Sequence, residues 1–492
     1  MTETAATTAT DSPQETAIRA RIDLSARWPV LFFLASAGFW LLAAMLAGIV
    51  ANIKLLSPSF LGDWAAISYP RLHPMHISML VYGFGINAGL GISIWLMARL
   101  CRQEVRGPFG YITAGVAWNT AITLGVLGVL AGFGSGADWL EFPRWVFPLM
   151  FLSYAIIAGK IFVMFLQRDA ARPYVSVWFL LAALFAFPWL LLTAWVLIFL
   201  SPGAAVMSTA IATWYVGGML MLFFVPLTLA ITHYFIPKVS AKPLHSENIA
   251  LFGLWGVLGL GAWSGMQRLM GGPLPAWMPA VSGTALLVFL IPALLVFINH
   301  IRTLKGAEDM VVMSPTLRFN VAAQWGFLVF AVIGAALSLL FFSRSAQFSQ
   351  AVIGYWHTGL YGMFAMAAFG AIVFIMPRIC GCEWFSAKQL RFQFWFSVYG
   401  AIALSLLGVL GGLWQGAMVF NLESDWRAVV ETTRPYTTGR VIALMLIFLS
   451  NLVFVGNLWR MILRKGREAG SATLIHEPVE KTEPASPPAA GA

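Results

Sequence analysis

The stretch HPMHISMLVYGFGINAGL, residues 73–90, decides the fold of this chain because it opens a long apolar helix with two histidines one turn apart. A second stretch far downstream, GYWHTGLYGMFAMAAFGAIVFIMPR at 354–378, sets His357 at the same end of another apolar helix. Two neutral imidazoles at one depth in a bundle can provide both axial ligands of a six-coordinate haem iron. The pattern therefore predicts a helical bundle that holds His76 opposite His357.

The composition predicts an all-α integral membrane protein. Hydrophobic residues make up 60% of the 492 residues and charged residues only 10%. Apolar runs longer than about 18 residues recur along the whole chain, and runs of that length span a bilayer as helices. About twelve transmembrane helices are predicted, at 28–53, 74–100, 109–133, 145–167, 174–200, 207–236, 249–268, 277–300, 319–343, 351–377, 392–415 and 441–463.

The polar ends of the chain are predicted to lie outside the membrane. Residues 1–27 form a cytoplasmic N-terminal segment, 28–463 form the twelve-helix membrane domain, and 464–492 form a disordered cytoplasmic tail that is rich in Pro, Ala and Glu. The start of the chain lacks the basic region and short apolar core of a cleavable signal peptide, so the first apolar run is expected to be a true span.

The distribution of basic residues predicts the orientation. Most Arg and Lys residues fall in every second connection, and the positive-inside rule places those connections in the cytoplasm. Both termini are then cytoplasmic, and His76 and His357 lie near the outer face. The net charge of +10 is explained by this topology, and nothing in the sequence indicates a nucleic-acid partner.

The other ionisable residues have ordinary interpretations. Lys160 lies inside a predicted span, but about seven residues (~10 Å) from its cytoplasmic end, so that its ammonium can snorkel to the interface. The alternative is a role for Lys160 in proton or quinone chemistry. His233 and His300 are predicted at helix ends, His245 in a connection and His476 in the tail.

Two of these segments resemble a known family. RLHPMHISMLVYGFGINAGL (71–90) resembles the second helix of subunit I of the haem–copper oxidase superfamily, closest to the cbb-type cytochrome c oxidases and related to the nitric oxide reductase large subunit. The resemblance implies that His76 is an axial ligand of a low-spin haem b. GYWHTGLYGMFAMAAFGAIVFIMPRI (354–379) resembles the tenth helix and implies that His357 is the other ligand.

Two further segments extend the resemblance over nearly the whole membrane domain. TWYVGGMLMLFFVPLTLAITHYFIPK (213–238) is similar to the sixth helix of the family, and RPYTTGRVIALMLIFLSNLVFVGNLW (434–459) is similar to the last. The arginines of that last helix imply contacts from Arg434 and Arg440 to the haem propionates, which accept guanidinium hydrogen bonds well. The fold implied is a bundle like that of subunit I.

The chain departs from the family at the second metal. The family holds copper or non-haem iron with three histidines, whereas the matching positions here are Gly217, Ser264 and Gly265, and no histidine occurs between residues 245 and 300. Glycine and serine cannot hold such an ion. The high-spin haem ligand is replaced by Tyr355, which is read as a packing residue, with a tyrosinate-ligated second haem as the alternative. No carboxylate lies inside any predicted span.

These features predict one bis-histidine low-spin haem b and no copper. A six-coordinate iron has no open position for a substrate, so its work is one-electron transfer. We expect a haem b membrane subunit of a respiratory complex in a bacterial inner membrane, passing electrons between a periplasmic c-type cytochrome or dehydrogenase and the quinone pool. The connection QGAMVFNLESDWRAVVETTRPYTTGR (415–440) is either a docking site for that partner or a cap on the bundle.

Two other classes of function stay open at this point. One is a divergent oxygen or nitric oxide reductase subunit, whose metal ligands would come from unexpected positions. The other is a haem-free transporter or assembly partner, in which the paired histidines would have no cofactor. A reductase predicts a high-spin haem that reacts with carbon monoxide, and a haem-free protein is colourless.

Overall fold

The computed structural model describes residues 13–200, 203, 205–421 and 423–466, and within them it confirms the twelve predicted membrane helices. Residues 1–12 and most of the predicted disordered tail lie outside the described residues. The helices are α1 (Pro13–Leu56), α2 (Tyr69–Cys101), α3 (Pro108–Ala131), α4 (Phe147–Leu166), α5 (Val175–Leu200), α6 (Ala205–Ser240), α7 (Glu247–Gly261, then a 3-10 turn at Met266–Leu269), α8 (Trp277–Leu304), α9 (Pro315–Ser338), α10 (Gln350–Cys380), α11 (Ala387–Phe420) and α12 (Trp426–Ile462). Two short helices, Glu308–Met313 and Leu340–Ala346, precede α9 and α10.

Three helices form the centre of the bundle. In α2, α6 and α10, between 94 and 100% of the most apolar window is buried by protein, against 39 to 61% in the other nine helices. Protein therefore covers these three helices on all sides, whereas the outer helices leave one face for lipid. The two histidine-bearing helices therefore occupy the interior.

Each central helix widens into a π-helical stretch near its middle. These stretches are 79–86 in α2, 219–224 in α6 and 358–365 in α10, and the first two both contact the third. Short π-helical segments inside α-helices are frequent at functional sites. Here they follow directly on the histidine-bearing turns of α2 and α10.

The two ends of the bundle differ in charge. The N-terminal ends of α2 and α10 lie on one side, which we call the His76 side. The opposite side, which we call the basic side, carries the connections with Arg102, Arg172, Lys242 and Lys305, and the start of α11 with Lys388.

Helices α1 and α12 extend furthest beyond their predicted limits. α1 begins at Pro13, and its polar first turns are stabilised by an ion pair of 3.0 Å between Arg19 and Glu15. α12 begins at Trp426, and the Asp425 carboxylate caps it by accepting a hydrogen bond of 2.7 Å from the Ala428 amide.

The prediction that residues 415–440 form an external connection is wrong. Residues 415–420 complete α11, residues 426–440 belong to α12, and the connection between the two helices is confined to 421–425. The segment contains Pro435 and several charges, which disfavour a transmembrane reading, but a helix can extend beyond the bilayer as long as its polar face meets water. The segment consists of two helix ends joined by a short connection instead of one long loop.

Candidate cofactor-binding site

The structure brings His76 and His357 together inside the bundle. Their Nε2 atoms are 3.2 Å apart, their ring planes are inclined by only 20°, and the ring centroids are 5.5 Å apart. Both side chains are almost completely buried, with 1 and 4% of their surface exposed. The pair therefore points nitrogen to nitrogen across the space between α2 and α10.

The other ring nitrogen of each histidine is fixed by a backbone carbonyl. The Nδ1 atom of His76 lies 2.6 Å from the carbonyl oxygen of Ala44, and that of His357 lies 2.8 Å from the carbonyl oxygen of Ile353. Since a carbonyl only accepts, Nδ1 carries the proton in both rings and Nε2 presents a lone pair. Metal-ligating histidines are oriented in this same way.

Two lone pairs that face each other form a suitable donor set for a metal ion. Imidazole–metal bonds are about 2.0–2.1 Å long, so two axial bonds need a nitrogen separation of ~4 Å. The observed 3.2 Å separation has to widen by less than about 1 Å to reach that value. The donor set thus fits the bis-imidazole ligation of a haem iron.

A neighbouring helix fixes the position of the His76 ring. A Cβ atom built on Gly48 of α1 would lie 2.7 Å from both Cε1 and Nδ1 of His76. Only glycine leaves room for the imidazole to lie flat against α1 at this point. The ring is consequently held by packing as well as by the hydrogen bond to Ala44.

Arg440 lies on the same side of the bundle. Its guanidinium is 3% exposed and donates a hydrogen bond of 2.6 Å to the side-chain oxygen of Gln350, the first residue of α10. No carboxylate among the described residues forms an ion pair with it, and a buried guanidinium without an anion is costly. A haem propionate would provide that anion.

A cavity of about 190 Å³ opens beside Arg440 and also contacts Arg434, Gln350 and Tyr436. Arg434 is exposed, six residues closer to the start of α12. The two arginines that the sequence singled out therefore share one pocket on the His76 side, with Arg440 deep and Arg434 at the rim.

Tyr355 and Lys160 do not join the histidine pair. The Tyr355 ring stacks on Phe330 of α9, with centroids 4.6 Å apart and planes inclined by 7°. The Lys160 ammonium lies 4.8 Å from the centroid of the Tyr111 ring, close to Gly107 at the basic-side end of α3.

The positions of the family's second metal are in direct backbone contact. A Cβ atom on Gly217 of α6 would lie 2.5–2.6 Å from the backbone of Ser264 and Gly265, in the turn after α7. A Cβ atom on Gly265 would meet the carbonyl group of Thr213. In this arrangement α6 and the turn approach too closely to leave room for a side chain at Gly217 or Gly265.

One buried carboxyl group near the site was not anticipated. Glu141, in the connection between α3 and α4, accepts a hydrogen bond of 2.7 Å from the Ser78 hydroxyl and one of 3.0 Å from the Trp139 amide. Burial raises the pKa of Glu141 to about 8, while these hydrogen bonds oppose the shift. Because Glu141 lies outside every apolar run, hydropathy could not reveal its burial.

A second histidine pair was not predicted from the sequence. His233 of α6 and His300 of α8 are both fully buried, with ring centroids 4.4 Å apart, whereas both were predicted at helix ends. The Nδ1 atom of His300 bonds to Gln324, and the Nε2 atoms of both rings have no partner among the described residues. Helices α6 and α8 extend four residues beyond their predicted ends, which places these rings inside the bundle.

Comparisons with known proteins show which sequences resemble this chain. Residues 29–465 match the family model described as cytochrome c and quinol oxidase polypeptide I. A cytochrome c oxidase subunit 1 homolog from Azorhizobium caulinodans is 27% identical over 87% of this chain and 80% of its own length. A cbb3-type cytochrome c oxidase subunit, CcoN1, from Stutzerimonas stutzeri is 24% identical over 86 and 92% of the two chains.

A solved structure shows the same fold. A chain of a haem–copper terminal oxidase dimer superposes with a TM-score of 0.71, covering 93% of this chain and 86% of that one. The two sequences are only 13% identical, so the likeness concerns the arrangement of the twelve helices.

Proposed function

Since this chain belongs to the cytochrome c and quinol oxidase polypeptide I family, whose members are haem-binding membrane subunits of respiratory oxidoreductases, we propose that it is an electron-transfer subunit with a single low-spin haem b. In this proposal His76 and His357 are the axial ligands, and Arg440 and Arg434 bind the propionates. The complex passes electrons between a periplasmic c-type cytochrome or dehydrogenase and the quinone pool, in a bacterial inner membrane with both termini in the cytoplasm.

The opposed Nε2 atoms of the histidine pair carry this proposal. A haem held there supplies one-electron redox chemistry at an iron with both axial positions filled. The residues of the chain do the rest: Ala44 and Ile353 orient the rings, Gly48 lets α1 cover one of them, and Arg440 balances the charge of a propionate. Burial of the pair keeps water away from the metal.

The backbone contact between Gly217 and the turn at Ser264 favours electron transfer over oxygen or nitric oxide reduction. A reductase of this superfamily needs space and ligands for a second metal. In this chain main-chain atoms fill the space beside Gly217, and the matching residues do not include a histidine. The stacking of Tyr355 on Phe330 likewise argues for a packing role rather than ligation of a second haem. Copper is therefore absent from the proposed cofactor set.

The proposal is tested on the complete complex, isolated from membranes with its partner subunits. Under anaerobic conditions, a short-chain quinol and, separately, reduced cytochrome c are mixed with the wild-type complex and with complexes that carry His357→Ala or Tyr355→Phe. We expect haem b absorbance to respond to both donors in the wild type and in Tyr355→Phe, and not in His357→Ala. Sustained oxygen or nitric oxide consumption that Tyr355→Phe abolishes would overturn the proposal in favour of a reductase.

A further inference from the structure

A deep groove runs between α9 and α11 with α10 as its floor. Its volume is about 710 Å³, and it is walled by Trp325 and Val329 of α9 and by Trp395 and Ile402 of α11. The Trp325 and Ile402 side chains are about half exposed (54 and 51%), so the groove opens sideways towards lipid. Its walls offer almost no polar surface.

Close contact between α9 and α10 forms the floor of the groove. A Cβ atom on Gly326 would meet the carbonyl oxygen of Gly362, so the two backbones touch at this point. Ala322, one turn before Gly326, adds only a methyl group to the lining. Small residues on one helix thus leave a channel that larger neighbours on α9 and α11 enclose.

The groove is long enough to cross one leaflet. Along α9 it extends from Arg318 to Ile333, which at 1.5 Å per residue is about 22 Å. Half the hydrocarbon core of a bilayer is ~15 Å thick. The groove therefore begins at the basic side, passes the midplane, and reaches Thr358, the residue after His357.

Arg318 stands at the basic-side mouth of the groove without an acceptor. Its guanidinium makes no hydrogen bond or ion pair with any described residue, and its Nε atom is buried with no partner. The Arg318 guanidinium carbon lies 5.6 Å from the centroid of the Phe394 ring. The guanidinium is also close enough to Arg391 to be repelled by its positive charge. Five N–H donors with no protein acceptor, next to a second cation, call for an anion from outside.

We propose that this groove is a binding site for an anionic phospholipid from the leaflet on the basic side. Arg318 and Arg391 hold the phosphate diester, and an acyl chain fills the groove as far as Thr358. A prenylquinone has a similar tail but no anionic group, so it leaves the two guanidinium groups without a counter-ion. The bound lipid covers the face of α10 formed by Thr358, Gly362 and Met366, and its binding does not depend on the proposed redox role.

The test uses the full chain, purified with its partner subunits and washed in detergent. Co-purifying lipids are identified and counted by native mass spectrometry and by lipid extraction. We compare the wild type with Arg318→Gln, with Ala322→Phe, which fills the groove without changing charge, and with the control Arg460→Gln, whose guanidinium also lies over a phenylalanine ring on the basic side. Rebinding is then measured in nanodiscs of phosphatidylcholine with and without phosphatidylglycerol, and with inorganic phosphate as a competitor.

We expect an anionic phospholipid to remain on the wild type and on Arg460→Gln. Its affinity should fall at least about tenfold, or ~1.4 kcal/mol, in Arg318→Gln and in Ala322→Phe. The proposal would be overturned if both groove variants retained as much anionic phospholipid as the wild type. It would also be overturned if a prenylquinone were found in place of the phospholipid, or if inorganic phosphate displaced the phospholipid completely. If Arg318→Gln does not fold, Ala322→Phe decides the matter alone.

Discussion

The Nε2 atoms of His76 and His357 face each other across 3.2 Å although the two residues are 281 positions apart in sequence. Each ring donates its other N–H to a carbonyl oxygen of a helix backbone, so the facing atoms are both acceptors. Buried polar atoms in proteins are usually paired, and a metal ion between the rings would pair both of these lone pairs. This relationship is the basis of the haem assignment.

Replacing either histidine should remove the haem. We expect His76→Ala and His357→Ala to abolish the low-spin b-type absorbance, because one remaining imidazole leaves the iron five-coordinate and weakly held. The measurement is the haem content per chain of the purified variants. His73→Ala is the matched control, because His73 lies one turn away, stacks on Tyr69, and meets the His76 ring only at a centroid distance of 6.5 Å with the planes tilted by 45°. A full low-spin spectrum in either alanine variant would refute the ligand assignment.

Gly48 should be intolerant of even a methyl group. Gly48→Ala places a Cβ atom 2.7 Å from the His76 ring, and overpacking of a buried site costs typically 1–3 kcal/mol. We expect a lower melting temperature together with partial loss of haem. Gly456→Ala on α12 is the control, because a Cβ atom there meets nothing within 4 Å. Identical haem content in the two variants would show that the ring is not held in the way described.

Arg440 should tune the haem electrostatically. Removing a buried positive charge beside a propionate favours the oxidised iron, so Arg440→Gln should lower the midpoint potential by roughly 60 mV, a tenfold change for a one-electron couple. Arg434→Gln should have a smaller effect, because Arg434 is exposed and screened by solvent. Potentiometric titration of both variants tests this. If Arg434→Gln shifted the midpoint potential more than Arg440→Gln did, the assignment of Arg440 as the arginine beside the propionate would be contradicted.

Glu141 should make stability depend on pH. Since burial raises the pKa of its carboxyl from 4.5 to about 8, the folded chain binds a proton that the unfolded chain releases at neutral pH. This stabilisation is complete below about pH 4.5 and is lost as the pH rises through about 8. Glu141→Gln keeps a neutral group that can bond to Ser78, so its melting temperature should fall less than that of the wild type between pH 6 and 9. If the melting temperatures of the wild type and Glu141→Gln changed equally with pH, this pKa would be contradicted.

The sequence predicted the fold and the histidine pair for one physical reason. Apolar runs must become helices in a bilayer, and the depth of a residue such as His76 then follows from its place in the run. The prediction was weaker for residues whose environment depends on tertiary contacts. His233 and His300 were predicted at helix ends because hydropathy does not fix where a helix stops, and both are buried.

Connections were the least predictable part. Glu141 lies in a segment that hydropathy marks as external, yet the segment folds back against α2 and buries the carboxyl beside Ser78. The reading of 415–440 as a loop was wrong because a polar helix outside the membrane carries no apolar run. The backbone contact between Gly217 and the turn at Ser264 was not predicted, because glycines in two distant segments do not indicate that the segments touch.

The most direct test of the central claim is a reduced-minus-oxidised optical spectrum of the purified chain, combined with a pyridine haemochrome assay and a carbon monoxide difference spectrum on the same sample. Our account predicts one haem b per chain, a low-spin spectrum and no response to carbon monoxide. Two haems per chain, or a carbon monoxide band, would contradict it and point to a second, reactive haem near Tyr355. A colourless protein would contradict it in the other direction, leaving transport or assembly as the function.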